Sequence, residues 1–102
     1  MSLPRPLPDR LIELVARRFR VLGEPMRIKL LDALREREAS VGELREATGA
    51  SQQNVSKHLG VLLEAGIVGR RKDGNQVFYS IADEAILHLC EEVCGGLRRQ
   101  VA

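Results

Sequence analysis

Between Gly66 and Ile81 the apolar period of this chain changes from near 3.6 to 2, and the change is centred on Asp73-Gly74-Asn75. Ile67 to Lys72 and Gln76 to Ile81 read as two short strands. In the second, Val77, Tyr79 and Ile81 alternate with Gln76, Phe78 and Ser80. An Asp-Gly-Asn turn between two such runs predicts a β-hairpin. The other apolar runs have helical spacing.

Pro4, Pro6 and Pro8 make residues 1–8 an extended, loosely held arm. Asp9 is expected to cap a first helix, in which Leu11, Val15, Phe19 and Leu22 form a stripe. Gly23-Glu24-Pro25 breaks that run, and Pro25 suits the first turn of a second helix. Ile28, Leu31 and Leu34 are expected to form its buried face, and Arg35 to Glu38 reads as a solvated helix end. Ser40-Val41-Gly42-Glu43 fits a capping box opening a short third helix, with Leu44 and Ala47 facing inward and Gly49 stopping it. Ser51 caps a fourth helix, whose Val55, Leu59, Leu62 and Leu63 form a compact apolar stripe. Gly66 terminates it with positive φ. After the hairpin, Asp83 caps a last helix with a stripe of Ile86, Leu89, Val93 and Leu97. The order α-α-α-α-β-β-α, with two short helices about a tight turn and a hairpin directly after them, predicts a winged helix-turn-helix. Residues 9–102 then form a single domain.

The fourth helix carries the strongest functional signal. At about 100° per residue, Gln53, Lys57 and Gly60 project opposite the stripe of Val55, Leu59 and Leu62, and Asn54 and Ser56 flank them. With Gln52, that half of the helix offers amides, a hydroxyl and an ammonium, groups that read base edges and bind phosphate. Its N-terminus adds unpaired amides and a favourable dipole. Residues 51–76 contain four cations, Lys57, Arg70, Arg71 and Lys72, against Glu64 and Asp73. Three of them cluster before the hairpin turn, where they can contact phosphates or enter a minor groove. The bland alternatives are a solvated helix face and charges that protect an edge strand.

Composition narrows the remaining classes. The chain has 102 residues, 44% hydrophobic and 29% charged, with 16 basic against 14 acidic side chains. That is one soluble domain's worth, and its +2 balance permits a nucleic-acid partner if the charge is unevenly distributed. Phe19, Phe78 and Tyr79 are the only aromatics, too few for a single-strand stacking platform. No apolar run approaches a membrane span and the start lacks a secretory core segment, so a cytoplasmic location is expected. Two histidines, no Gly-rich phosphate loop and no nucleophile elbow argue against an enzyme.

Leu22-Gly23-Glu24-Pro25-Met26-Arg27, Val55-Ser56-Lys57-His58-Leu59, Leu62 to Val68, Arg70 to Asn75 and Val77 to Ile81, taken in order, resemble the ArsR/SmtB bacterial winged-helix repressors over roughly residues 10 to 100. The resemblance implies a homodimer, paired through its first and last helices, that binds an inverted-repeat DNA operator and represses. It implies DNA-binding roles for Gln52, Gln53, Asn54, Ser56, Lys57 and His58 on the recognition helix. In the wing it implies them for Arg70, Arg71, Lys72 and Asn75. His58 lies near the apolar side, so a hydrogen-bonded structural histidine is the competing reading. A protein-interaction module is the competing function, but it would place apolar residues where Gln53, Ser56 and Lys57 stand.

Many members of that family release DNA on binding a metal or metalloid. Their paired cysteines before the turn correspond to Ser40 and Gly42 here. Of the last-helix ligand set only Asp83 matches, with Ala85, Gly96 and Arg99 at the other positions. What remains is Cys90 and Cys94, free thiols four residues apart on one helix face. They are the candidate site for a metal, metalloid or thiol-reactive effector, against a reading as small buried hydrophobes. No cofactor is expected to be required.

Overall fold

The computed structural model describes residues 2–101. Its elements are α1 (Asp9–Leu22), α2 (Pro25–Ala33), β1 (Ala39–Ser40), α3 (Val41–Thr48), α4 (Gln52–Glu64), β2 (Val68–Asp73), β3 (Gln76–Ile81) and α5 (Glu84–Val101). The strands form one antiparallel sheet in the order β1-β3-β2. This is the expected helix order with its hairpin wing, plus one strand. β1 pairs Ala39 with Tyr79 and Ser40 with Phe78, and a two-residue strand is too short for periodicity to reveal. Met1 and Ala102, the ends of the expected arm and domain, lie outside the described residues.

Local chemistry explains most boundaries. Pro25 is the first residue of α2, and the Glu24 carboxylate accepts from the amides of Met26 at 2.7 Å and Arg27 at 3.2 Å. Ser40 and Glu43 form the reciprocal capping box, which holds the Glu43 carboxyl below its ordinary value, chiefly through the Ser40 backbone amide. Ser51 accepts from the Asn54 amide at 3.1 Å. At the end of α4 the Gly66 amide donates to Leu63 O and the Ile67 amide to Leu62 O, the paired bonds of a Schellman turn around a glycine at φ 76°. In the wing Asp73 pairs with Gln76, leaving Gly74-Asn75 as a two-residue loop with φ 62° at Gly74. Asp83 caps α5 through the Ala85 amide and also pairs with Arg18 of α1 at 3.2 Å.

Several expectations are corrected. Asp9 is the first residue of α1 rather than its cap; Pro8 holds the cap position and makes no side-chain bond there. Ile28 is exposed, because α2 turns Leu30, Leu31 and Leu34 into the core. Ala47 is also exposed. The inward stripe of α3 runs Val41, Leu44 and Thr48, and the Thr48 hydroxyl donates to Leu44 O at 2.7 Å. The first strand begins at Val68 because Ile67 completes the helix-ending turn. β3 is half-buried from Val77 to Ile81 without alternation, as suits the middle strand of the sheet.

The core is built from α2, α3, α4 and the base of the wing, with Leu30, Leu44, Val55, Leu59, Leu62 and Ile67 wholly buried. The terminal helices contribute one buried residue each, Leu22 from α1 and Ile86 from α5. Beyond these, Val15, Phe19, Val93, Leu97 and Val101 stay exposed. The radius of gyration is 15.3 Å, against about 13 Å for a self-contained globular chain of this length. Among the described residues no helix is long and apolar enough to cross a membrane.

Candidate nucleic-acid interface

Two short helices and the turn between them aim α4 outward. α3 stops at Gly49, whose φ of 74° reverses the chain, and Ser51 opens α4 only two residues later. The buried stripe Val55, Leu59 and Leu62 presses one side of α4 into the core. Gln52, Gln53, Ser56, Lys57 and Gly60 are therefore exposed together, with Asn54 half-buried beside them. Among the described residues, nothing beyond the helix's own adjoining backbone lies within 4 Å of where a Gly60 side chain would begin, so that part of the face is open.

His58 stands apart from the other candidate residues of α4. It is 7% exposed and points beneath the polar face. Arg27 Nη1 lies 3.2 Å from its Nδ1, and Glu24 Oε2 lies 3.7 Å from its Nε2. An arginine can only donate, so Nδ1 accepts and the neutral ring carries its proton on Nε2, toward Glu24. Arg27 Nε also donates to Val21 O at 2.6 Å. His58 thus ties the middle of α4 to the junction of α1 and α2.

The wing divides its cations between two faces. Arg70 and Lys72 point to one side of β2, Arg71 and Asp73 to the other. Among the described residues Lys57, Arg70 and Lys72 make no ion pair. Arg71 is paired, with a bidentate contact to Glu38 and Asp73 3.7 Å away. That hydrogen bond, more than simple attraction, holds the Glu38 carboxyl below its ordinary value of 4.5 and raises Arg71 further. The pair is therefore intact above pH 4.5 and is lost only as the pH falls through the depressed value. Asn75 is exposed at the wing tip.

Cys90 and Cys94 are both free thiols, the first half-buried and the second exposed. They line one side of a cavity of about 510 Å³ between α2 and α5, with Ile28, Leu31, Lys29 and Arg98. Burial pushes the Cys90 thiol up, which favours its protonated form. Among the described residues no group of three or more His, Cys, Asp or Glu could hold a metal ion.

Nothing in the sequence alone marks Glu24, Arg27 or Glu38 as site residues. Glu38 lies in a charge run that reads as solvent-facing, and only the fold reveals its partner 33 residues away.

Comparison with known proteins agrees with this architecture. Residues 22–71 match a family described as "Helix-turn-helix domain". An uncharacterized HTH-type transcriptional regulator of Mycobacterium tuberculosis, Rv0081, is 46% identical over 80 residues, which is 78% of this chain and 70% of that protein. Its crystal structure superposes with a TM-score of 0.81 at 41% identity, over 92% of this chain and 95% of that one. A biofilm growth-associated repressor of Agrobacterium fabrum is 37% identical over 90 residues, 88% of this chain and 77% of that protein. The homodimeric winged helix-turn-helix DNA-binding domain of Mb0332 from Mycobacterium bovis, solved in solution, superposes with a TM-score of 0.81 at 29% identity, over 96% and 94% of the two chains. With the capped α3-turn-α4 unit and the hairpin wing in place, the chain belongs to the ArsR/SmtB family of winged helix-turn-helix transcriptional regulators.

Proposed function

We propose that this protein represses transcription in the bacterial cytoplasm by binding an inverted-repeat DNA operator as a homodimer. One observation carries the reading: Lys57 and the exposed amides and hydroxyl of α4 lie on an open face, followed in the chain by a wing whose Arg70 and Lys72 carry no ion pair among the described residues. Gln52, Gln53, Asn54 and Ser56 supply donors and acceptors for base edges in a major groove. Lys57, Arg70, Lys72 and Asn75 meet backbone or minor groove. His58 acts from beneath, through the orientation of α4. The repressor name of the Agrobacterium relative and the homodimeric DNA-binding domain from M. bovis support the same reading. A protein-interaction module is disfavoured by the polar outward face of α4. Salt-dependent binding to the DNA upstream of its own gene tests the proposal.

The dimer forms on the apolar groove where Phe19 of α1 and Ile28 of α2 face Val93, Leu97 and Val101 of α5. In a two-fold pair each protomer presents one α4, so half-site centres fall about 10 base pairs apart or a multiple of that.

Cys90 and Cys94 are the place we assign to an effector that releases DNA, a soft metal, a metalloid or a thiol reagent. Among the described residues no third His, Cys, Asp or Glu completes a ligand set with the two sulfurs, so a bound ion would take further donors from the partner or from solution. In Cys90→Ser/Cys94→Ser, DNA affinity without effector stays at the wild-type level, and release by zinc, cadmium, arsenite or a thiol oxidant is abolished. The mobility of a labelled operator fragment reads both, and release that survives in the double variant removes the cysteines from the mechanism.

A further inference from the structure

Arg71 differs from the other cations of the wing in what already holds it. β3 is the middle strand, with β2 on one side and β1 on the other. Arg71 lies opposite Phe78, and Phe78 lies opposite Ser40. The Arg71 side chain leaves β2, crosses the middle strand with its guanidinium carbon 4.9 Å from the Phe78 ring centre, and ends on Glu38 just before β1. Nε donates to Oε2 at 2.8 Å and to Oε1 at 3.1 Å, and Nη2 donates to Oε1. One side chain therefore spans the whole width of the sheet.

From this geometry, and on the DNA-binding reading above, we propose that Arg71 and Glu38 form a strap that fixes the wing, and that Arg71 aids DNA binding by positioning Arg70, Lys72 and Asn75, not by contacting a phosphate. A phosphate and a carboxylate compete for the same guanidinium fork. To take a phosphate, Arg71 would give up its bidentate partner and its place over the ring. It would also leave the Glu38 carboxylate unpaired near DNA, where like charge repels. Arg70 and Lys72 project from the opposite face of β2 and, among the described residues, have no such partner to give up. Glu38 thereby becomes a positioning residue for the interface although it is acidic. A phosphate-binding role for Arg71 gives the contrary expectation, because removing an acid beside DNA should then tighten binding.

The test is a double-mutant cycle of Glu38→Gln, Arg71→Gln and both together, with Lys72→Gln as the phosphate-binding control. DNA affinity is measured across a salt series on the fragment upstream of the gene. The strap predicts that each single variant weakens binding by about two- to fivefold, in keeping with an exposed ion pair. The double variant is then no worse than the singles, and the slope of log affinity against log salt is unchanged. Lys72→Gln instead makes the slope shallower by about one for each phosphate it no longer neutralises. Unchanged or tighter binding in Glu38→Gln, with a shallower slope in Arg71→Gln, overturns the strap.

Amide hydrogen exchange over residues 70–77 without DNA supplies the independent readout. Glu38→Gln and Arg71→Gln should speed exchange there alike, and Lys72→Gln should not. Equal protection in all variants contradicts the strap. Failure of the wild type to bind DNA counts against the function proposed above and leaves the exchange result to decide the strap.

Discussion

Phe19→Glu and Leu97→Glu each turn the protein into a folded monomer and cut operator affinity by about 100-fold or more, the scale on which a second tethered site adds to the first. Both side chains are more than half exposed in the single chain, 55% and 53%, and line the same apolar groove. Replacing them costs the monomer little, because surface substitutions away from core features change stability by about 0.5 kcal/mol or less. In the dimer proposed above the same positions become buried. A two-fold axis doubles the damage, bringing two unpaired carboxylates into an apolar seam, where desolvating a charge is expensive. Sedimentation velocity should give one protomer's mass with an unchanged circular dichroism spectrum, and the melting temperature should fall to a value that no longer rises with protein concentration, because association stabilises only the dimer. Variants that stay dimeric would place the interface elsewhere.

Lys57→Glu reverses the charge at the centre of the exposed α4 face and is expected to weaken operator binding by on the order of 100-fold at low salt. Lys57 is exposed and unpaired among the described residues, so the substitution breaks no internal ion pair. In each dimer two phosphates go without their ammonium and face a carboxylate instead. The slope of log affinity against log salt should become shallower by about two, at about 0.9 per phosphate. Dimer mass and melting temperature are the controls, and both should match the wild type. Wild-type affinity in this variant would remove α4 from the interface.

The readable parts of the fold share a cause. Ser40 with Glu43, Ser51, Gly66 and the Gly74-Asn75 loop act within a few residues of themselves, so local sequence carries them. The exposed face of α4 is legible for a similar reason: the buried spacing of Val55, Leu59 and Leu62 dictates what points away.

What escapes the sequence depends on partners far along the chain. β1 exists because Ala39 and Ser40 meet Tyr79 and Phe78, not because two residues prefer extended backbone. Glu38 looks like part of a solvated charge run until the sheet brings Arg71 to it. The environment of His58 needs Glu24 and Arg27, which only the packing of α2 against α4 supplies. Ile28 has helical spacing with Leu31, but α2 packs into the core on the side that carries Leu30, Leu31 and Leu34, which leaves Ile28 outside. Among the recognition-helix and wing residues that the sequence points to, these long-range interactions set two apart, His58 by burial and Arg71 by its carboxylate.

The most direct test of the account is fluorescence anisotropy of the purified, reduced and metal-free protein. The probe is a labelled duplex from upstream of its own gene, over a range of salt, with an unrelated duplex as competitor. The account predicts tight binding by a dimer that falls steeply as salt rises and that the unrelated duplex fails to displace. Affinity that ignores salt, or binding that the unrelated duplex removes as readily as the specific one, would contradict it.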